Sequence, residues 1–119
     1  MERPELEARS AAFAAAVFAL CKAVRQQPGA RNPSDQPLDA ASSVGANYRS
    51  SSRSRSRREF VAKISVVAEE ADEAVYWLEF FASTRLGDQD VVGPLLAEAK
   101  ELRAIFAASY KTSRRGRKT

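Results

Sequence analysis

Apolar residues recur along this chain at intervals of three and four, and no stretch shows the alternation of a strand. In the first segment Leu6, Phe13, Val17, Leu20 and Val24 fall at spacings of 7, 4, 3 and 4, one stripe of an amphipathic helix. Pro4 suits a first turn and Pro28–Gly29 a stop, so a helix is predicted over about 4–27. Next comes "PGARNPSDQPLDAA", the most loop-like part of the chain. Pro33 disfavours helix for the residue before it, Ser34 or Asp35 can cap a new helix, and Pro37 is tolerable in its first turn. From there Leu38, Ala41, Gly45, Tyr48 and Ser52 carry a second stripe of mostly small residues, predicting a helix over about 35–52. Such residues allow close approach of helix axes, a reason to accept Gly45 at roughly 1 kcal/mol.

The third segment is the most regular. Phe60, Ile64, Val67, Ala71, Ala74, Leu78 and Phe81 follow spacings of 4, 3, 4, 3, 4 and 3 without a break. Ser56-Arg57-Arg58-Glu59 reads as a capping box, and Gly87 as a left-handed stop. A helix over 57–85 would be roughly 43 Å long. Asp90 is the expected cap of a fourth helix, over about 91–111, striped by Val92, Leu95, Ala99, Leu102, Phe106 and Ser109. Gly93-Pro94 is expected to delay its start. Residues 112–119 read as a basic tail. The expected fold is all-α, a single domain forming an antiparallel up-down four-helix bundle.

Composition and charge sharpen this picture. With 119 residues and 45% apolar content the chain supports one core. Its net charge of +4 is modest, but the distribution is uneven. Five Arg lie between Arg49 and Arg58, and five Lys or Arg between Lys111 and Lys118, which is ten of the 19 basic residues. Glu69, Glu70, Asp72 and Glu73 cluster between them. Two basic segments can attract phosphate backbones or an acidic protein; alternatively they are solvated helix ends. Cys21, the one cysteine, is expected to be a small buried residue in a reducing cytoplasm. The start of the chain lacks a signal-peptide pattern and the run Ala11–Leu20 is too short for a bilayer, so no membrane association is expected.

The chain contains no His, which removes the commonest metal ligand and general base. Neither a nucleophile–base pair nor a phosphate-cradling Gly loop is present, so no enzyme activity, catalytic residue, metal or cofactor is expected.

The stretch "SSVGANYRSSSRSRSRREFVAKISVVAEEADEAVYWLEFF" resembles the signature of the 23S rRNA intervening-sequence four-helix-bundle family of bacteria. The elements in common are Ser43–Arg49, Glu59–Ser65, Glu69–Glu73 and Tyr76–Glu79, and Leu95–Arg115 is similar to the family's last helix. The similarity spans about Ala30 to Arg115. It departs at Asn32, Pro33 and Pro37, where members carry an apolar helical stretch, and at Ser50–Ser52, where Ala is common. The resemblance implies a four-helix bundle that can form a ring-like homopentamer. It also implies kinship with the accessory protein of diversity-generating retroelements, a basic bundle that works with a reverse transcriptase and its RNA. The family name records a genomic position inside ribosomal RNA genes, not an activity.

Three groups of residues are candidates for function. Arg49, Arg53, Arg55, Arg57 and Arg58 form a basic corner between the second and third helices, and Arg114, Arg115, Arg117 and Lys118 offer a second contact. Together they suit RNA or DNA phosphates, or an acidic protein partner such as a reverse transcriptase; pairing with acidic neighbours and plain solvation are the structural alternatives. Tyr76, Trp77 and Phe80 form an aromatic band; Trp77 and Phe80 project to a different side from the core stripe, with Val66 and Glu73, as an oligomer interface would, and plain bundle core is the alternative. The acidic cluster is expected to pair with Arg49 or Lys63, or with the basic corner of another subunit. Asn47 is expected to be buried and to fix helix register.

Overall fold

The computed structural model describes residues 1–115, and Arg117 and Lys118 lie outside them. Four helices make up these residues: α1 (Arg3–Val24), α2 (Arg31–Ser51), α3 (Arg57–Thr84) and α4 (Gln89–Arg115). Strands are absent among the described residues. Each helix packs on its neighbours in sequence, and α1 meets α4 over a smaller surface, so the four close into a ring with α1 and α3 on one diagonal. The molecule measures 53 × 22 × 20 Å.

The predicted stripes supply the core. Leu6, Phe13, Val17, Leu20 and Val24 are buried from α1, and Ile64, Val67, Ala71, Ala74, Leu78 and Phe81 from α3. From α4 come Val92, Ala99, Leu102 and Phe106. In α2 the buried positions are Ala40, Ala41, Val44 and Tyr48, while Leu38 and Gly45 are half-buried and Ser52 is exposed. The Tyr48 ring packs tilted on Phe106, with centroids 5.1 Å apart. Burial pushes the Cys21 thiol up to about 11, as befits a small core residue.

Several helix ends differ from expectation, each for a local reason. α2 begins at Arg31, one turn before Ser34, with Ala30 at its N-cap. Pro33 is the third helical residue, where the N–H has no intrahelical acceptor, so the helix loses nothing there. Neither Ser34 nor Asp35 caps: Ser34 is buried with its Oγ donating to the Arg31 carbonyl, 2.8 Å, and Asp35 pairs with Arg25, 2.5 Å. Pro37 therefore lies inside the helix, fully buried, rather than in its first turn.

The left-handed stop of α3 is Arg85, at φ 56°, instead of Gly87. Leu86 N–H closes the end on the Phe81 carbonyl at 2.8 Å. Gly87 makes the next turn at φ 83°, so close to α1 that a Cβ would sit 2.9 Å from Val24 Cγ2. Asp88, not Asp90, caps α4, its Oδ1 accepting from Asp90 N–H at 2.9 Å. Pro94 is consequently an interior residue, and the helix does not wait for it. At the other end α4 runs to Arg115, past the predicted limit at 111.

Candidate nucleic-acid interface

The run "SSSRSRSRREF" builds a structured corner. Ser50, Ser51, Ser52 and Ser54 each donate their Oγ to the carbonyl three residues back, at 2.6–3.2 Å. These hydroxyls add a further donor to carbonyls at the end of α2, where the Arg49 and Ser51 carbonyls also accept from Ser52 and Ser54 N–H. After Arg53 and Arg55, Ser56 caps α3 by accepting from Glu59 N–H at 3.0 Å. Glu59 returns the contact by accepting from Arg55 N–H at 2.5 Å, which holds its carboxyl below the usual range.

Two arginines bind this corner to the rest of the bundle. Arg57 Nη2 donates to the Ser113 carbonyl at 2.8 Å, joining the start of α3 to the end of α4. Arg3 lies over the Tyr48 ring, 4.3 Å from its centroid, and donates to the Tyr48 carbonyl and Ser51 Oγ at 3.1 and 3.0 Å. It also pairs with Glu7 at 3.2 Å. The start of α1 thus meets the end of α2. Sequence reasoning missed Arg3, although a cation at a helix N-terminus, against the macrodipole, is a signal that it answers to something else.

The arrangement gathers Arg49, Arg53, Arg55, Arg57 and Arg58 with Arg114 and Arg115 at one end of the molecule, all exposed. None of these seven forms an ion pair with a described residue. Arg114 stacks over Tyr110 at 5.1 Å, and both it and Arg115 complement the C-terminal dipole of α4. The acidic residues near this end are Glu2, Glu5, Glu7 and Glu59, of which Glu7 is paired with Arg3 and Glu59 is held by the cap. The aromatic rings closest to the corner, Tyr48, Phe60 and Tyr110, are buried or half-buried, so no bare ring stands beside the arginines for a base to stack on.

The acidic cluster makes other contacts than expected. Asp72 pairs with Arg103 of α4 at 3.0 Å, and Lys63 donates to Ser50 Oγ at 3.3 Å. Glu69 and Glu73 have no ion pair among the described residues. Burial, together with Glu73, Glu69 and Asp39, raises the Glu70 carboxyl above its ordinary range. Asn47 is half-buried and bonds within its own helix, to Ser43 O and Oγ at 2.9 and 2.8 Å, so it sets no register between helices. The aromatic band forms a ladder along α3. Tyr76 meets Trp77 edge-on at 5.1 Å and Trp77 meets Phe80 at 5.5 Å, with Tyr76 58% exposed.

Residues 5–108 match the family described as 23S rRNA-intervening sequence protein. The chain belongs to that family. The match includes α1, which the motif resemblance had left out. A solved structure with TM-score 0.84 and 25% identity covers 93% of this chain and 99% of its own. It is a protein of unknown function from the S23 ribosomal protein family of Bacteroides thetaiotaomicron. No curated protein matches the chain. Among the described residues, no helix of this family member is long and apolar enough to cross a membrane.

Proposed function

We propose that this chain is a non-enzymatic, self-associating, antiparallel up-down four-helix bundle of the cytoplasm whose basic end binds the phosphate backbone of RNA or DNA. The observation that carries the binding is the gathering of seven exposed arginines, without ion-pair partners among the described residues, at one end. Guanidinium forks suit phosphate geometry, and the absence of a bare ring beside them favours contact with backbone over bases. The topology is supported by the contacts between ends: Arg3 with Tyr48, Arg57 with Ser113, and Gln27 Oε1 accepting from Gly87 N–H at 3.2 Å. A homopentamer is the assembly that the family resemblance implies.

Fluorescence anisotropy with generic RNA and DNA tests the binding. Both should bind at low ionic strength, with little sequence preference. Absence of binding to either would reject this reading and leave the competing one, in which the same arginines dock an acidic protein such as a reverse transcriptase.

A further inference from the structure

Between Arg49 and Arg57 the corner interleaves two kinds of side chain, and phosphate binding uses only one of them. In Ser52-Arg53-Ser54-Arg55 each arginine follows a serine. Ser52 Oγ donates to the Arg49 carbonyl at 2.9 Å and Ser54 Oγ to the Ser51 carbonyl at 2.8 Å. A hydroxyl has one hydrogen and two lone pairs. With the hydrogen given to the backbone, each of these oxygens offers lone pairs alone. Phosphate oxygens also only accept, so they gain nothing from them. The group that fits beside these serines is a donor.

The frame that holds them is fixed. Ser52, Arg53 and Ser54 N–H donate to the Arg49, Ser50 and Ser51 carbonyls at 3.0–3.3 Å, and Arg55 N–H donates to Glu59 at 2.5 Å. Every amide from 52 to 55 is thus engaged, which leaves phosphates to the guanidinium groups. Ser52 is exposed and Ser54 half-buried, among arginines that are all exposed. The corner is also broad. Behind it stands a bundle whose shorter dimensions are 22 × 20 Å, and Arg57 joins it to the end of α4 beside Arg114.

Three forms of nucleic acid meet such a surface differently. A single strand draws affinity from stacking on rings, and those near the corner, Tyr48, Phe60 and Tyr110, are buried or half-buried. The minor groove of B-form DNA is about 6 Å wide, too narrow for the corner to enter, and its sugars have no 2′-hydroxyl to donate. An A-form RNA duplex has a wide, shallow minor groove that displays 2′-hydroxyls between its phosphate ridges. We infer that the ligand of the basic corner is double-stranded RNA, met across its minor groove, with arginines on the phosphates and the Ser52 and Ser54 oxygens accepting from 2′-hydroxyls. This rests on the phosphate-binding reading and adds to it the form of nucleic acid and the residues that select it. Contacts to backbone and sugar carry no base preference.

Fluorescence anisotropy at one ionic strength tests it with an RNA duplex, the same duplex with 2′-fluoro sugars, the DNA duplex of that sequence and the single RNA strand. Fluorine keeps the A-form and removes the donor. The RNA duplex should bind tightest, by about tenfold over the 2′-fluoro and DNA duplexes, the scale of two hydrogen bonds of ordinary net strength. Ser52→Ala combined with Ser54→Ala should bring the RNA duplex down to the 2′-fluoro value, with the helical signal kept in circular dichroism. The salt slope should stay that of wild type, because no phosphate contact is lost. An RNA duplex bound no tighter than the DNA duplex or the single strand would overturn the inference. So would a 2′-fluoro duplex equal to the RNA duplex, or a double variant that keeps the preference. Absence of binding to every probe would overturn the phosphate-binding reading itself, and this inference with it.

Discussion

Arg57 donates to the carbonyl of Ser113 across 2.8 Å and so caps the end of α4 from the start of α3. The cation that opposes the dipole of its own helix serves the C-terminal end of another. Replacing Arg57 with Gln should cost about 1 kcal/mol in denaturant unfolding, the scale of one such hydrogen bond. Amide exchange should rise in the last turn of α4 more than in its centre.

Gly87 and Gly29 both have positive φ, 83° and 79°, but only Gly87 is crowded. An added Cβ at 87 meets Val24 Cγ2 at 2.9 Å and Leu20 Cδ1 at 3.1 Å, whereas at 29 nothing lies within 4 Å. Gly29→Ala should cost about 1 kcal/mol, the backbone penalty alone. Gly87→Ala should cost more, and the difference in thermal midpoint measures the close approach of this turn to α1.

Ser10 is fully buried between α1 and α2, and its Oγ has no hydrogen-bond partner. An unsatisfied buried hydroxyl is a cost that a methyl group does not carry. Ser10→Ala should therefore be neutral or stabilising by up to about 1 kcal/mol, an unusual sign for a core substitution.

Glu70 and Glu98 should give stability profiles of opposite slope. Glu70 is raised above its ordinary 4.5, so the folded state holds its proton longer and stability falls as pH rises through that interval. Glu98 is lowered by its hydrogen bond with Arg9, so its contribution is present above 4.5 and is lost as pH falls through the folded value. Glu70→Gln should raise the thermal midpoint at pH 7 and Glu98→Gln should lower it. Both differences should shrink toward zero in acid.

How much of this was legible in the sequence depends on whether a feature is local. The α3 stripe from Phe60 to Phe81 and the cap at Ser56 are properties of one helix, and both read directly from residue spacing. The start of α2 did not, because Pro33 looks like a barrier until its place in the first turn, where no N–H is needed, is known. The serines at 50–54 give no periodic signal of their own, yet their hydroxyls serve the carbonyls of the turn before them. Arg3 over Tyr48 joins residues far apart in the chain, beyond any periodicity argument.

The central claim is that the arginine corner meets phosphates. Its most direct test is the salt dependence of RNA and duplex DNA affinity for wild type and for Arg53→Gln, Arg55→Gln and Arg58→Gln combined, which leaves the structural Arg57 in place. Each lost phosphate contact should reduce the slope of log affinity against log salt by about 0.9 on duplex DNA and about 0.7 on single strands. The triple variant should therefore lose roughly two to three units of slope on duplex DNA with its helical signal unchanged. Equal slopes for variant and wild type would contradict the claim.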